Sequence, residues 1–208
     1  METLTPYLGF ALFVLVSITT PGPNNIMTLH SGARYGVKRT VPLVLGIQFG
    51  FALMIAIIAF GSAIILSRIE GAATLLRIVC FVYLMYLAWR IASSPPPNLD
   101  APLEAELESG AKPIRMIEAM LFQWVNPKAW AVAVATVGTY GFLFGDTLST
   151  MLGFAGTFLA LGLPSSFAWA CGGTLIGKLL RSPAHYRVFS ITAAIAMIAA
   201  VVPALLAV

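Results

Sequence analysis

The sequence predicts an all-α membrane protein in which six transmembrane helices form two inverted three-helix repeats, with helices 1 and 4 broken. Three observations predict it. Of the 208 residues, 59% are hydrophobic and only 10% charged, where a soluble domain carries about 25% charged residues. The apolar residues fall into six long stretches separated by charges and turn formers. Finally, the first and fourth stretches each carry helix-breaking residues well inside them. So few charges cannot keep a surface of this size in water, and a mean hydropathy of +0.92 agrees. A cytosolic enzyme, a nucleic-acid binder and a secreted disulfide scaffold are excluded on these grounds. No phosphate-binding loop is present, which argues against an ATP-driven pump.

Span 1 is expected at 7–29, inside the uncharged run from Thr3 to Ala33, a run far longer than the apolar region of a cleavable signal. Span 2 follows at 41–66, ended by Ser67 and Arg68, and span 3 at 72–89, ended by Arg90. A polar stretch, Ser93-Ser94-Pro95-Pro96-Pro97-Asn98, then leads into the acidic segment 103–108. Spans 4, 5 and 6 are expected at 117–140, 147–177 and 188–207. Stretches of these lengths cross a hydrocarbon layer of about 30 Å, and spans 2 and 5 are long enough to tilt or break. The organisation expected is a first repeat at 1–92, a linker at 93–112 and a second repeat at 113–208.

Orientation follows from Lys and Arg in the loops. Arg34, Lys38, Arg39, Arg90, Lys112, Arg115, Lys178, Arg181 and Arg187 lie after spans 1, 3 and 5, against Arg68 and Arg77 on the other side. Both termini are therefore expected outside and the linker inside. The net charge of +4 is explained by these cytoplasmic loops rather than by an acidic partner. With three spans per half, two similar halves must be inverted, as in many secondary transporters.

Proline lacks the N–H that would bond the carbonyl four residues earlier. In Thr20-Pro21-Gly22-Pro23-Asn24-Asn25, Pro21 and Pro23 free the carbonyls of Ser17 and Thr19. In Gln123-Trp124-Val125-Asn126-Pro127-Lys128, Pro127 frees that of Gln123, and in span 5 Pro164 frees that of Ala160. Free carbonyls in hydrocarbon need partners, so such breaks belong beside protein or a polar cavity. Counting from the charges that flank each span, Asn24 and Asn126 both lie about 12–17 Å from the cytoplasmic edge, near the midplane. The two polar breaks should therefore meet.

The residues this marks for substrate binding are Pro21, Gly22, Pro23, Asn24, Asn25, Gln48, Gln123, Asn126, Pro127 and Lys128. An ammonium such as that of Lys128 is expensive in mid-membrane, unless it snorkels to the surface. Pro164 reads as a kink or a break, and Pro42 as a first-turn proline. Gly46 and Gly50 read as a small-residue packing face. His30 and His185 read as interfacial or loop residues, Glu118 as a helix-start carboxylate or a proton carrier, and Asp146 as a turn residue. Cys80 and Cys171 read as small core residues. Trp124 and Trp130 flank the span 4 break, and one of them is expected to line the cavity. No metal or cofactor site is expected.

At these residues the chain resembles the lysine exporter superfamily, the LysE/RhtB group of bacterial amino-acid effluxers. The resemblance covers essentially the whole chain. It rests on the 20–25 element with the basic loop containing Gly36 and Arg39, and on Asn126-Pro127-Lys128. The segments Leu87-Ala88-Trp89-Arg90-Ile91-Ala92 and Phe122-Gln123-Trp124-Val125-Asn126 look closest to the branch of cysteine and O-acetylserine exporters. The resemblance implies a multi-pass permease of the bacterial inner membrane, with both termini periplasmic, that exports small amino acids or related metabolites by alternating access on the proton gradient. Many members carry Asp where this chain has Asn24, which cannot take up a proton. The absence of any Asp or Glu deep in a span favours a neutral amino acid or derivative as substrate. The substrate's carboxylate is expected to meet Lys128 or a helix N-terminus beyond a break, and its ammonium the carbonyls freed by Pro21 and Pro23. The lipid bilayer is the other partner, an oligomer is compatible with the pattern, and nucleic acid is not expected. A membrane thiol/redox carrier or an ion channel is the alternative.

Overall fold

The computed structural model describes residues 5–62, 72–96, 112–180 and 182–200. Among them every regular element is a helix. α1 (Thr5–Thr19) is followed by the long α2 (Pro23–Ile57), which ends in a π-type turn, Ile58–Ser62. α3 is Ala72–Ala92 and α4 Met116–Phe122; a 3-10 turn, Gln123–Val125, leads into α5 (Pro127–Tyr140). α6 (Thr147–Leu179) and α7 (Pro183–Ala199) complete the chain. Most of the predicted linker, with its acidic segment, lies outside the described residues, as do Ser67, Arg68 and Pro203.

Spans 1 and 2 do not have the loop between them that the sequence suggests. Helical structure runs through the basic residues, and the whole reversal is concentrated at Gly36 (φ 75°, ψ 170°), a left-handed conformation that glycine adopts without a Cβ clash. Ser31 Oγ and Thr40 Oγ1, nine residues apart, lie 2.9 Å from each other. In a straight helix they would be about 13 Å apart along the axis, so the two arms fold back on one another. Pro42 accordingly stands inside the second arm rather than in a first turn.

Pro164 does not end α6, which continues through it to Leu179. By contrast, α1 stops at Thr19 and α4 at Phe122, at the two places where proline and asparagine cluster. The restarts are capped. Asn126 Oδ1 accepts from Lys128 N at 3.1 Å with Pro127 at the first helical position, Asp146 caps α6 through Ser149 N at 3.0 Å, and Ser182 caps α7 through His185 N at 3.2 Å. Such caps satisfy helix-start donors that would otherwise be unpaired.

The packing forms two apolar cores. One joins Met27 and Leu43 of the two α2 arms to Leu84 and Leu87 of α3, Phe122 of α4 and Met197 of α7. The other joins Phe10 and Val14 of α1, Met54 and Ile55 of α2, Ala133 of α5 and Phe154 and Phe158 of α6. The first arm of α2 meets α6 backbone to backbone. A Cβ on Gly173 would lie 2.0 Å from the Leu29 carbonyl oxygen, and one on Gly32 would lie 2.2 Å from that of Ala170. Gly46 and Gly50 press on Met116 and Met120 of α4 in the same way, the packing role expected of them. Outward faces remain apolar: Leu12 and Val16 of α1 are 61% and 64% exposed, and Leu75 and Val82 of α3 and Val188 and Ile195 of α7 are comparably open. A belt of this kind suits lipid rather than water.

His30 is buried, not interfacial. Its ring meets Ser190 Oγ at 3.2 Å and Tyr186 Oη at 3.3 Å, and stacks on Phe189. α7 brings these residues to it, which a single-chain pattern does not reveal. His185 is exposed in the first turn of α7. Cys171 is exposed rather than core, and the side chain of Cys80 lies outside the described set. Glu118 accepts from Arg115 N at 3.0 Å and pairs with its guanidinium at 2.9 Å, a helix-start carboxylate. Asp146 sits in the 141–146 turn, as expected.

Candidate functional site

Where α1 stops, the chain leaves helical geometry and its last carbonyls lose their partners. Side chains replace them. Asn25 Nδ2 donates to the carbonyls of Ile18 (2.8 Å) and Thr20 (3.0 Å), and Ser165 Oγ on α6 lies 3.4 Å from that of Ile18. Lys128 Nζ donates to Thr20 O at 2.6 Å and reaches Pro21 O at 3.4 Å. The ammonium thus sits on the carbonyls of Thr20 and Pro21, not on those of Ser17 and Thr19 that the prolines themselves release. In the second break, the carbonyl freed by Pro127 is retained locally: Gln123 O accepts from Asn126 N at 3.3 Å.

The two breaks are joined by amides. Asn24 Nδ2 donates to Gln123 Oε1 at 2.9 Å, and Gln123 Nε2 returns a bond to Asn24 Oδ1 at 3.2 Å. Asn126 Nδ2 donates to the same Asn24 oxygen at 3.2 Å, and Gln123 Nε2 also reaches Ala119 O at 3.0 Å. Gln123 and Asn126 are 0% and 1% exposed. The breaks therefore meet side by side, over about a hundred residues of sequence separation.

A cavity opens against this junction. The space it offers to water centres is about 70 Å³, several times the ~10–15 Å³ that holds one water on that measure. Its polar wall is Ser17, Gly22, Asn24, Asn25, Asn126, Lys128 and the pair Gln48–Ser166, in which Gln48 Nε2 donates to Ser166 Oγ at 2.7 Å. Its apolar wall comes from both cores, with Ile47 from one and Phe51, Ala129 and Phe158 from the other. Gly162 of α6 is what lets Gln48 lie flat there, since a Cβ at 162 would be 2.2 Å from Gln48 Oε1. Lys128 is the one charged group among the described lining residues, and no carboxylate is among them.

Of the ten residues marked in the sequence, six line the cavity: Gly22, Asn24, Asn25, Gln48, Asn126 and Lys128. Gln123 stands behind Asn24, and Pro21, Pro23 and Pro127 shape the breaks without lining the space. Trp124 and Trp130 turn away from it, packing edge to face with Trp130 Nε1 bonded to Trp124 O at 2.9 Å. Sequence reasoning missed Ser17, Ser166 and the apolar wall. Ser166 carried a signal, a polar residue beside Pro164 in an apolar helix; Phe51 and Phe158 carried none that separates them from ordinary core.

Comparison with known proteins agrees with this architecture. Residues 15–208 match the family model described as LysE type translocator. The cysteine/O-acetylserine efflux proteins of Shigella flexneri and of Escherichia coli strain K12 are each 31% identical to the chain over 181 residues, 86% of this chain and 88% of theirs. No solved structure matches it. A polar junction between two broken helices, a belt of outward apolar residues and a family match over nearly the whole length lead to one conclusion: the chain belongs to the LysE family of membrane translocators and is a transporter, not an enzyme.

Proposed function

We propose that the protein exports a small neutral amino acid or close derivative across the bacterial inner membrane, with the amide-lined cavity as its binding site. The observation that carries this is the charge balance of the cavity: one ammonium, six amide or hydroxyl side chains (Ser17, Asn24, Asn25, Gln48, Asn126 and Ser166) and no described carboxylate. Such a site suits a zwitterion and repels a dication-bearing substrate. The names of the relatives point to cysteine and O-acetylserine as the first compounds to test.

In this reading α1 with the first arm of α2 forms span 1, and α4 with α5 forms span 4. The second arm of α2, then α3, α6 and α7, are spans 2, 3, 5 and 6. Residues 1–92 and 113–208 are two inverted repeats joined by a cytoplasmic linker at 93–112, with both termini periplasmic. The meeting of two breaks from segments that would run in opposite directions supports this arrangement, which is the usual home of midplane sites. One half rocks against the other around the junction, driven by the proton gradient.

The test is counterflow of labelled L-cysteine and O-acetyl-L-serine in proteoliposomes, for the wild type and for Asn126→Ala and Lys128→Met. The reading expects exchange by the wild type and its loss in both variants at normal protein levels. Full exchange in both variants removes this cavity as the site. Retained exchange in Cys80→Ser/Cys171→Ser is expected of a carrier whose thiol chemistry belongs to the cargo; its loss favours a redox carrier.

A further inference from the structure

Lys128 holds two opposed helix ends together. Its carbon chain starts in the first turn of α5, at the partially positive end of that helix dipole, and its ammonium ends on the carbonyls of Thr20 and Pro21, just past the C-terminus of α1, where the partial charge is negative. The side chain crosses directly over Gly22, where a Cβ would lie 2.6 Å from Lys128 Cδ. The cation and its acceptors thus come from different breaks; Lys128 lines the cavity, and the two carbonyls directly precede Gly22, which also lines it.

We propose that Lys128 is a built-in stand-in for the substrate's ammonium, and that substrate binds by exchanging one ammonium for another. This rests on the transport reading above. The substrate's carboxylate draws Lys128 Nζ off the two carbonyls towards the N-terminal end of α5. The substrate's own ammonium then takes the carbonyl seat at the end of α1. No covalent bond changes and no proton moves. Contacts of Nζ–H with two carbonyl oxygens become contacts of Nζ–H with a carboxylate and of the substrate N–H groups with those carbonyls. Both charged ends are needed at α-amino-acid spacing. An amine without a carboxylate must evict Lys128 with nothing to receive it, and adds a second positive charge. A carboxylate without an amine strips the carbonyls of their donor.

Reconstituted full-length protein and L-cysteine counterflow under reducing conditions test this, with cysteamine (no carboxylate) and 3-mercaptopropionate (no ammonium) as competitors. In the wild type both should compete at least ~10-fold more weakly than unlabelled L-cysteine, the loss expected when a hydrogen bond to a charged group is forfeited. In Lys128→Met the carbonyl seat is open, so cysteamine should gain ~10-fold or more relative to L-cysteine, read by ligand-induced thermal shift so that a transport-dead variant still reports. Gly22→Ala, which obstructs the Lys128 stem from the other side with no backbone strain at φ −167°, should shift the ratio in the same direction. An unchanged cysteamine-to-cysteine ratio in both variants, with wild-type counterflow intact, overturns the exchange and leaves the transport reading standing. Absence of any wild-type counterflow with small neutral amino acids overturns the transport reading and this one together.

Discussion

Replacing Asn24 by alanine should separate the two breaks. The side chain makes three bonds to the second break: one donated to Gln123 Oε1, and one accepted each from Gln123 Nε2 and Asn126 Nδ2. Gln123 Nε2 retains Ala119 O, so the groups left without a described partner are Gln123 Oε1 and Asn126 Nδ2. Each lies on a residue with almost no exposure, and a buried polar group without a partner costs about 1–3 kcal/mol. Two of them set an upper range of about 2–6 kcal/mol. Bonds between membrane helices average about 0.6 kcal/mol, so three of them set a floor near 2 kcal/mol. The expectation is a loss of about 2–4 kcal/mol, measured by reversible unfolding in mixed micelles, together with loss of counterflow. An alanine variant within about 0.5 kcal/mol of wild type, with full counterflow, would refute the claim that these amides join the breaks.

Three further outcomes follow from the packing. Gly173→Val places a side chain against the Leu29 carbonyl, which being backbone cannot yield, and should cost at least the ~1–3 kcal/mol of core overpacking; Gly156→Ala, which meets nothing within 4 Å, should not destabilise and should raise the same melt slightly, since alanine favours a helix interior over glycine. Gly162→Ala should push the Gln48 amide out of its bond with Ser166 and weaken substrate affinity in counterflow while the protein still melts cooperatively. Asp146→Ala should lower the Tm by uncapping α6. Hydrogen bonds from the Ser149 hydroxyl and amide hold the Asp146 carboxyl below its ordinary value. Its contribution is therefore complete above that ordinary value and lost as pH falls through the depressed one, so wild type and variant should converge in strong acid.

How much was legible follows from the kind of signal each feature leaves. The breaks were legible because proline removes a specific donor, and its effect stays within four residues. Asn24, Asn126 and Lys128 stood out because amides and an ammonium are costly in apolar segments wherever they end up. Pro164 shows the limit of the rule: the same residue type passes inside an unbroken α6, where packing on α2 decides the outcome. Gly36 was read as part of a loop because a lone glycine among basic residues does not announce that an entire reversal fits into one left-handed residue.

The amino-acid sequence by itself determined the apolar class of the chain, its division into helical stretches, and where two of them must stop, because hydrophobic transfer and missing backbone donors are local properties. Only the tertiary structure decided that Lys128 lies on the carbonyls of Thr20 and Pro21, that His30 is enclosed by Tyr186 and Ser190, and that Phe51 and Phe158 face a cavity rather than each other's core alone. Those depend on which helix faces approach, and that is set by close contacts such as Gly32 and Gly173 between segments about 140 residues apart, which no local pattern encodes.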